Sequence, residues 1–178
     1  MKTVKIKDKE FSISISSDKI QNAIKQVASK INNDYVGQQP LFIAVLNGSF
    51  MFAADLFKNL AIECEISFIK VSSYQGTQTT EDVKELIGLN QNIEGRRIII
   101  LEDIVDTGIT LDTTIAKLKK HKPADIKVAT LLYKPEAFKN QFIIDYVGIE
   151  IPNDFIVGYG LDYDGLGRNL SDIYKIIN

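Results

Sequence analysis

Four consecutive aliphatic residues, Ile98, Ile99, Ile100 and Leu101, run directly into Glu102 and Asp103 and, after Ile104 and Val105, into Asp106-Thr107-Gly108-Ile109-Thr110. A strand with one wet face alternates apolar and polar residues. An unbroken aliphatic run therefore predicts a strand buried on both faces, as in a mostly parallel sheet covered by helices. Such sheets bind ligands outside the carboxyl ends of their strands. Gly108 permits a tight turn, and Thr107 and Thr110 offer hydroxyls beside the free amides of a helix starting near Thr110, so the loop can cradle a phosphate. Carboxylates beside a phosphate nest would repel it unless they faced something else, and sugar hydroxyls with a divalent cation meet that need. The stretch fits a sugar phosphate better than a bare anion. Its plainer reading is an acidic strand-to-helix turn with capping residues.

The rest of the chain supplies the partners of that strand. Pro40 is followed by Leu41, Phe42, Ile43, Ala44, Val45 and Leu46, a second run without alternation and so a second central strand. Asn47-Gly48-Ser49 then forms a tight loop before a helix over residues 50–60. Gly48 lets the backbone approach a ligand, and Ser49 can open a helix whose amino end attracts anions. Residues 62–71, 83–89 and 126–133 read as further strands. Ile20, Ile24, Val27, Ala28 and Ile31 recur at helical spacing behind Ser17 as a cap. Leu111, Ile115 and Leu118 mark another helix, closed by Lys119, Lys120, His121, Lys122 and Pro123 at its negative end. Phe11, Ile13 and Ile15 alternate as a half-buried strand or arm. No apolar residue anchors positions 75–82, which predicts a mobile loop. The expected fold is α/β, a doubly wound, mostly parallel sheet in a single domain spanning residues 1–178, with a small hood built from the chain ends.

Composition excludes several functions. A net charge of -2, with Lys and Arg scattered among Asp and Glu, marks no nucleic-acid surface. No apolar run reaches the length of a membrane span, and the amino terminus lacks the apolar core of a signal peptide. The single Cys64 forms no internal disulfide and reads as a small core residue, so a soluble cytoplasmic protein is expected. His121 is the only histidine and sits at a helix end, which leaves acid-base chemistry to carboxylates, Lys or Tyr. No Gly-x-x-x-x-Gly-Lys-Ser/Thr occurs, and Gly158-Tyr159-Gly160 lacks the third glycine of a dinucleotide fingerprint.

A hydrophobic strand, two acidic residues and Asp-Thr-Gly-x-Thr together resemble the signature of the type I phosphoribosyltransferases. Residues 147–163, which include Ile151-Pro152-Asn153-Asp154-Phe155-Ile156-Val157-Gly158-Tyr159-Gly160-Leu161-Asp162-Tyr163, resemble the purine-binding segment of the hypoxanthine-guanine phosphoribosyltransferases. The resemblance runs from about Val4 to Ile173. It implies that a 6-oxopurine and 5-phosphoribosyl 1-pyrophosphate give the nucleoside monophosphate and pyrophosphate, with Mg2+. It also implies residue roles. Asn47 and Gly48 would contact pyrophosphate through their backbone, with a non-proline cis peptide at Leu46-Asn47. Family members often carry Lys or Arg where Asn47 stands, so only the backbone role carries over. Ser73 and Tyr74 would lead a loop that shields the reacting centre from water. Glu102 and Asp103 would serve the ribose hydroxyls and magnesium, Asp106 would act as general base near the purine N7, and Asp106, Thr107, Gly108, Ile109 and Thr110 would hold the 5-phosphate. Lys134 would read the exocyclic oxygen, Phe155 would stack on the base and Val157 would read its edge through the backbone. Asp162 would reach a second magnesium through water, and Arg168 would pair with pyrophosphate.

Plainer readings stand beside these: a solvated strand-end Lys134, and Phe155 and Val157 as core residues of a small β element. The resemblance also implies a homodimer or homotetramer with small-molecule substrates and neither nucleic acid nor membrane as partner. Two other functions are a transferase for another base, such as xanthine, and a nucleotide-sensing regulator on the same fold. A regulator of that kind would show a basic face or an added DNA-binding segment.

Overall fold

The computed structural model describes residues 2–72, 84–89, 91–140 and 142–177. Ser73, Tyr74 and the predicted loop over 75–82 lie outside the described residues.

The two aliphatic runs become neighbours in one sheet. Strands β3 (Leu41–Leu46), β4 (Glu65–Ser72), β6 (Arg97–Val105), β7 (Asp125–Tyr133) and β8 (Tyr146–Glu150) run parallel, and β5 (Lys84–Ile87) adds an antiparallel edge, in the order β5-β4-β3-β6-β7-β8. Alternation along the strands feeds two cores. Phe42, Ala44, Ile99 and Leu101 face helices α1 (Ser17–Asp34) and α2 (Phe50–Phe57), while Leu41, Ile43, Val45, Ile98 and Ile100 face α3 (Ile109–Lys119). Ile98, Ile99, Ile100 and Leu101 are fully buried. Each such side chain contributes about 1.5–3 kcal/mol relative to leaving it in water.

A second sheet, β1-β2-β10-β9, joins β1 (Thr3–Ile6) and β2 (Lys9–Ile15) to β9 (Ile156–Val157) and β10 (Ile173–Ile176), so both chain ends build the hood. Its own small core is Ile6, Phe11, Val157 and Tyr174. The partners of the predicted arm at Phe11 are two strands, β1 and β10, too short for periodicity to reveal.

Some boundaries differ from the sequence reading. The cap of α1 is Ser16, whose hydroxyl accepts from the Lys19 N–H, and Ser17 is the first helical residue. Helix α2 stops at Phe57, and β4 begins only at Glu65, leaving Ile62 and Cys64 in the preceding loop, where they still pack on the core. Strand β6 continues through Glu102 and Asp103 to Val105, because its pairing with β7 persists along that length.

Candidate active site

The chain winds outward from β3 to β4 on one side and from β6 to β7 and β8 on the other, so the crevice between the ends of β3 and β6 is the point where the winding reverses. Ligands of doubly wound sheets bind at such a point. A cleft of about 250 Å3 lies there, bounded by Leu46, Gly48, Glu102, Asp103 and the loop over 106–110.

The loop after β3 carries a cis peptide at Leu46-Asn47, as the resemblance implied. Ser49 is fully buried and its hydroxyl donates to the Val45 carbonyl at 2.6 Å, fastening the loop from inside. A Cβ on Gly48 would collide with the Asp103 carboxylate, so only glycine lets the backbone lie on that side chain. The loop after β6 turns at Gly108, whose φ of 79° is left-handed and whose missing side chain makes room for Phe138 and Asn140. Asn140 Nδ2 and the Lys139 N–H both donate to the Thr107 carbonyl, at 3.0 and 3.2 Å. Those two bonds fasten the turn at the start of α3, the end of a helix where an anion is favoured. Phe138 and Asn140 escaped the sequence reading, since nothing near them in sequence announces a loop thirty residues away.

Alternation along β6 sends Glu102 and Asp103 to opposite faces while both line the crevice. Burial pushes the Glu102 carboxyl well above its usual range, and the neighbouring Asp103 adds to the shift. Burial likewise pushes Asp103 up to about 6, against the Ile104 N–H and the Arg168 guanidinium, with Asp162 reinforcing the rise. Arg168 pairs with Asp162 at 2.5 Å and donates to the Gly160 carbonyl at 2.6 Å. Gly160 in turn lies on the Gly48 carbonyl, where any side chain would clash. The hood therefore touches the loop after β3 directly, bringing Asp162 and Arg168 to the crevice.

Lys134 follows β7 and is 7% exposed. Its Nζ donates to Asp106 Oδ2 at 2.8 Å and to Asn153 Oδ1 at 3.2 Å. The acidic turn and the chain's later segment thus meet at one buried ammonium. Two residues beyond Asn153, Phe155 is 48% exposed and packs against Tyr163 and Phe11, with ring centroids 5.9 and 6.4 Å away. That exposure suits a stacking platform better than a core residue. Val157 is fully buried in the hood core, which leaves its backbone for any contact with a ligand.

Among the described residues no three His, Cys, Asp or Glu side chains converge into a metal cage. Mg2+ is ordinarily held by one or two carboxylates plus substrate phosphates. The hard oxygens of Glu102 and Asp103, which line the crevice, fit that pattern.

The phosphoribosyl transferase domain family matches residues 16–164, and the chain belongs to that family. Within it, the chain groups with the hypoxanthine-guanine phosphoribosyltransferases. It is 41% identical to that enzyme of Bacillus subtilis over 157 residues, 88% of this chain and 87% of the relative. The crystal structure of a hypoxanthine-guanine phosphoribosyltransferase from Bacillus anthracis superposes with a TM-score of 0.88 at 42% identity, covering 93% of this chain and 98% of the other. The bifunctional TilS/HprT protein of Listeria monocytogenes is 40% identical over 157 residues, but the chain spans only 24% of its length. No helix among the described residues is long and apolar enough to cross a membrane.

Proposed function

We propose that the protein is a purine-salvage enzyme that transfers the 5-phosphoribosyl group from its 1-pyrophosphate to hypoxanthine or guanine, giving the nucleoside monophosphate and pyrophosphate. The observation that carries this reading is the Lys134–Asp106 ion pair, shared with Asn153, which joins the sugar-phosphate loop to the segment suited to a flat base.

In this reading the amides and hydroxyls of residues 106–110 bind the 5-phosphate, and the backbone at Asn47 and Gly48, with Arg168, holds pyrophosphate. Glu102 and Asp103 orient the ribose hydroxyls. Lys134 donates to the exocyclic oxygen of the base, Phe155 stacks on its face and the Val157 backbone meets its edge. The purine N9 forms the bond to C1′ as the C1′–oxygen bond breaks, and that electron pair leaves with pyrophosphate. Asp106 takes the proton released at N7, a role suited to a carboxylate 46% exposed at the mouth of the crevice. Glu102 and Asp103 would hold Mg2+, and Asp162 would reach a second Mg2+ through water; metal bound there would supply positive charge for the departing pyrophosphate. Ser73 and Tyr74 are assigned to a closing loop on the strength of the resemblance alone. The enzyme is proposed as a cytoplasmic homodimer or homotetramer, a count that light scattering decides.

A spectrophotometric assay of purified protein with hypoxanthine, guanine and xanthine in turn, each with 5-phosphoribosyl 1-pyrophosphate and magnesium, tests the reading. Turnover of hypoxanthine or guanine is expected. Turnover of xanthine alone, or of no 6-oxopurine, would overturn it.

A further inference from the structure

Asn153 is exposed, and its side chain bonds to the buried Lys134. Its position is set by backbone. Strand β8 ends with Glu150 opposite Tyr133, the Ile151 N–H donates to the Tyr133 carbonyl at 2.8 Å, and the Asp154 N–H closes a turn onto the Pro152 carbonyl at 2.8 Å. The side chain of Asn153 is thereby brought to the residue that follows Tyr133, which is Lys134.

An ammonium has three donors. Asp106 and Asn153 take two of them, leaving one for a ligand oxygen. The two protein oxygens differ in what they do to the charge. A carboxylate neutralises the ammonium, whereas an amide holds it in place and leaves its charge intact. Once Asp106 turns to the purine proton, its hold on Lys134 weakens, and Asn153 is the tether that remains. Lysine has four rotatable bonds, so an untethered ammonium would lose its aim.

We propose that Asn153 is a positioning and specificity residue: its amide oxygen fixes Lys134 for a 6-oxo group on the base without neutralising it. The inference rests on the functional reading above.

The test compares Asn153→Ala and Asn153→Asp in the full chain with hypoxanthine, 5-phosphoribosyl 1-pyrophosphate and magnesium. Asn153→Ala should raise KM for hypoxanthine about tenfold, the equivalent of one hydrogen bond to a charged group, with KM for the sugar diphosphate and the melting temperature unchanged. Asn153→Asp keeps the acceptor but neutralises the ammonium, and should fall between wild type and Ala. An unchanged Ala variant, equal rises in both KM values, or an Asp variant no better than Ala would overturn the proposal. Calorimetric titration with inosine monophosphate gives a readout independent of turnover, with about tenfold weaker binding expected for Ala. Equal binding by wild type and Ala refutes the role of Asn153, whereas an active-site failure of the wild type toward every 6-oxopurine refutes the functional reading.

Discussion

The end of the central sheet and the attachment of the hood use carboxylates in opposite ways. On the sheet side, Glu102 and Asp103 sit at the end of a buried strand, and burial pushes both carboxyls upward. On the hood side the carboxylates act as clasps. Asp172 takes Lys2 Nζ at 2.6 Å, the Ser17 N–H at 2.8 Å and the Tyr174 hydroxyl, and the bond to Lys2 leads the causes that hold it below the ordinary range. Burial pushes Asp55 upward, but bonds from Lys58, Tyr159 and Gln21 outweigh it and leave it lowered. Tyr159 Oη donates to Asp55 Oδ2 at 2.5 Å, pinning the hood to α2. Carboxyls raised on folding cost stability at neutral pH, and lowered ones add it. Glu102 and Asp103 therefore keep their carboxyls at a cost in stability, while Asp55 and Asp172 use charge as structure.

The largest expected effect would sharpen this contrast. Asp106→Asn should lower kcat by about a hundredfold or more, the usual range for a general base, with only a small drop in melting temperature, because the amide still accepts from the buried Lys134 ammonium but no longer neutralises it. An unchanged rate removes Asp106 from the mechanism. Lys134→Ala should raise KM for hypoxanthine about thirtyfold, since it removes the donor and strands two acceptors, and should spare the sugar diphosphate. Equal losses for both substrates would count against a base-reading role.

Asp103→Asn tests the cost on the sheet side. In metal-free buffer it should stabilise the fold by about 1–2 kcal/mol, seen as a higher melting temperature, while turnover drops. A lower melting temperature would mean the carboxylate is structural after all. Tyr159→Phe tests the clasp, and should lose about 1 kcal/mol in denaturant unfolding with a modest rise in KM for the base. Stability equal to wild type would deny that this bond holds the hood.

The smallest effect is the pH response. Asp172 and Asp55 have folded pKa values below their unfolded values, so their contribution is full above about pH 4 and is lost as pH falls through the lowered values. Asp103 works the other way, its penalty easing as pH falls below about 6. Amide exchange followed from pH 6 to 3 should therefore show β10 losing protection while β3 keeps it. Simultaneous loss in both sheets would break the comparison.

How far each half was legible follows from chain distance. The sheet side is one contiguous peptide, and Ile98 to Thr110 announced strand, carboxylates, glycine turn and helix in order, with β3 and its Gly48 loop equally plain. On the base side Lys134 and Phe155 were named through the resemblance. Asn153, Phe138 and Asn140 were not, because each acts on a residue distant in sequence: Lys134 in one case, the turn at Thr107 and Gly108 in the others. The hood clasps at Asp172 and Tyr159 were silent for the same reason.

By itself the sequence determined the local patterns, and with them the buried strands, the helices that cover them and the acidic turn at the end of the central strand, because those depend on neighbouring residues or on residues three or four apart. Only the tertiary structure decided which distant groups share a partner: that Lys134 lies between Asp106 and Asn153, that Gly160 rests on Gly48, and that Asp55 and Asp172 fasten the hood. A hydrogen bond is made across a few ångströms of space, and that proximity is fixed only when strands from both ends of the chain have closed into their sheets.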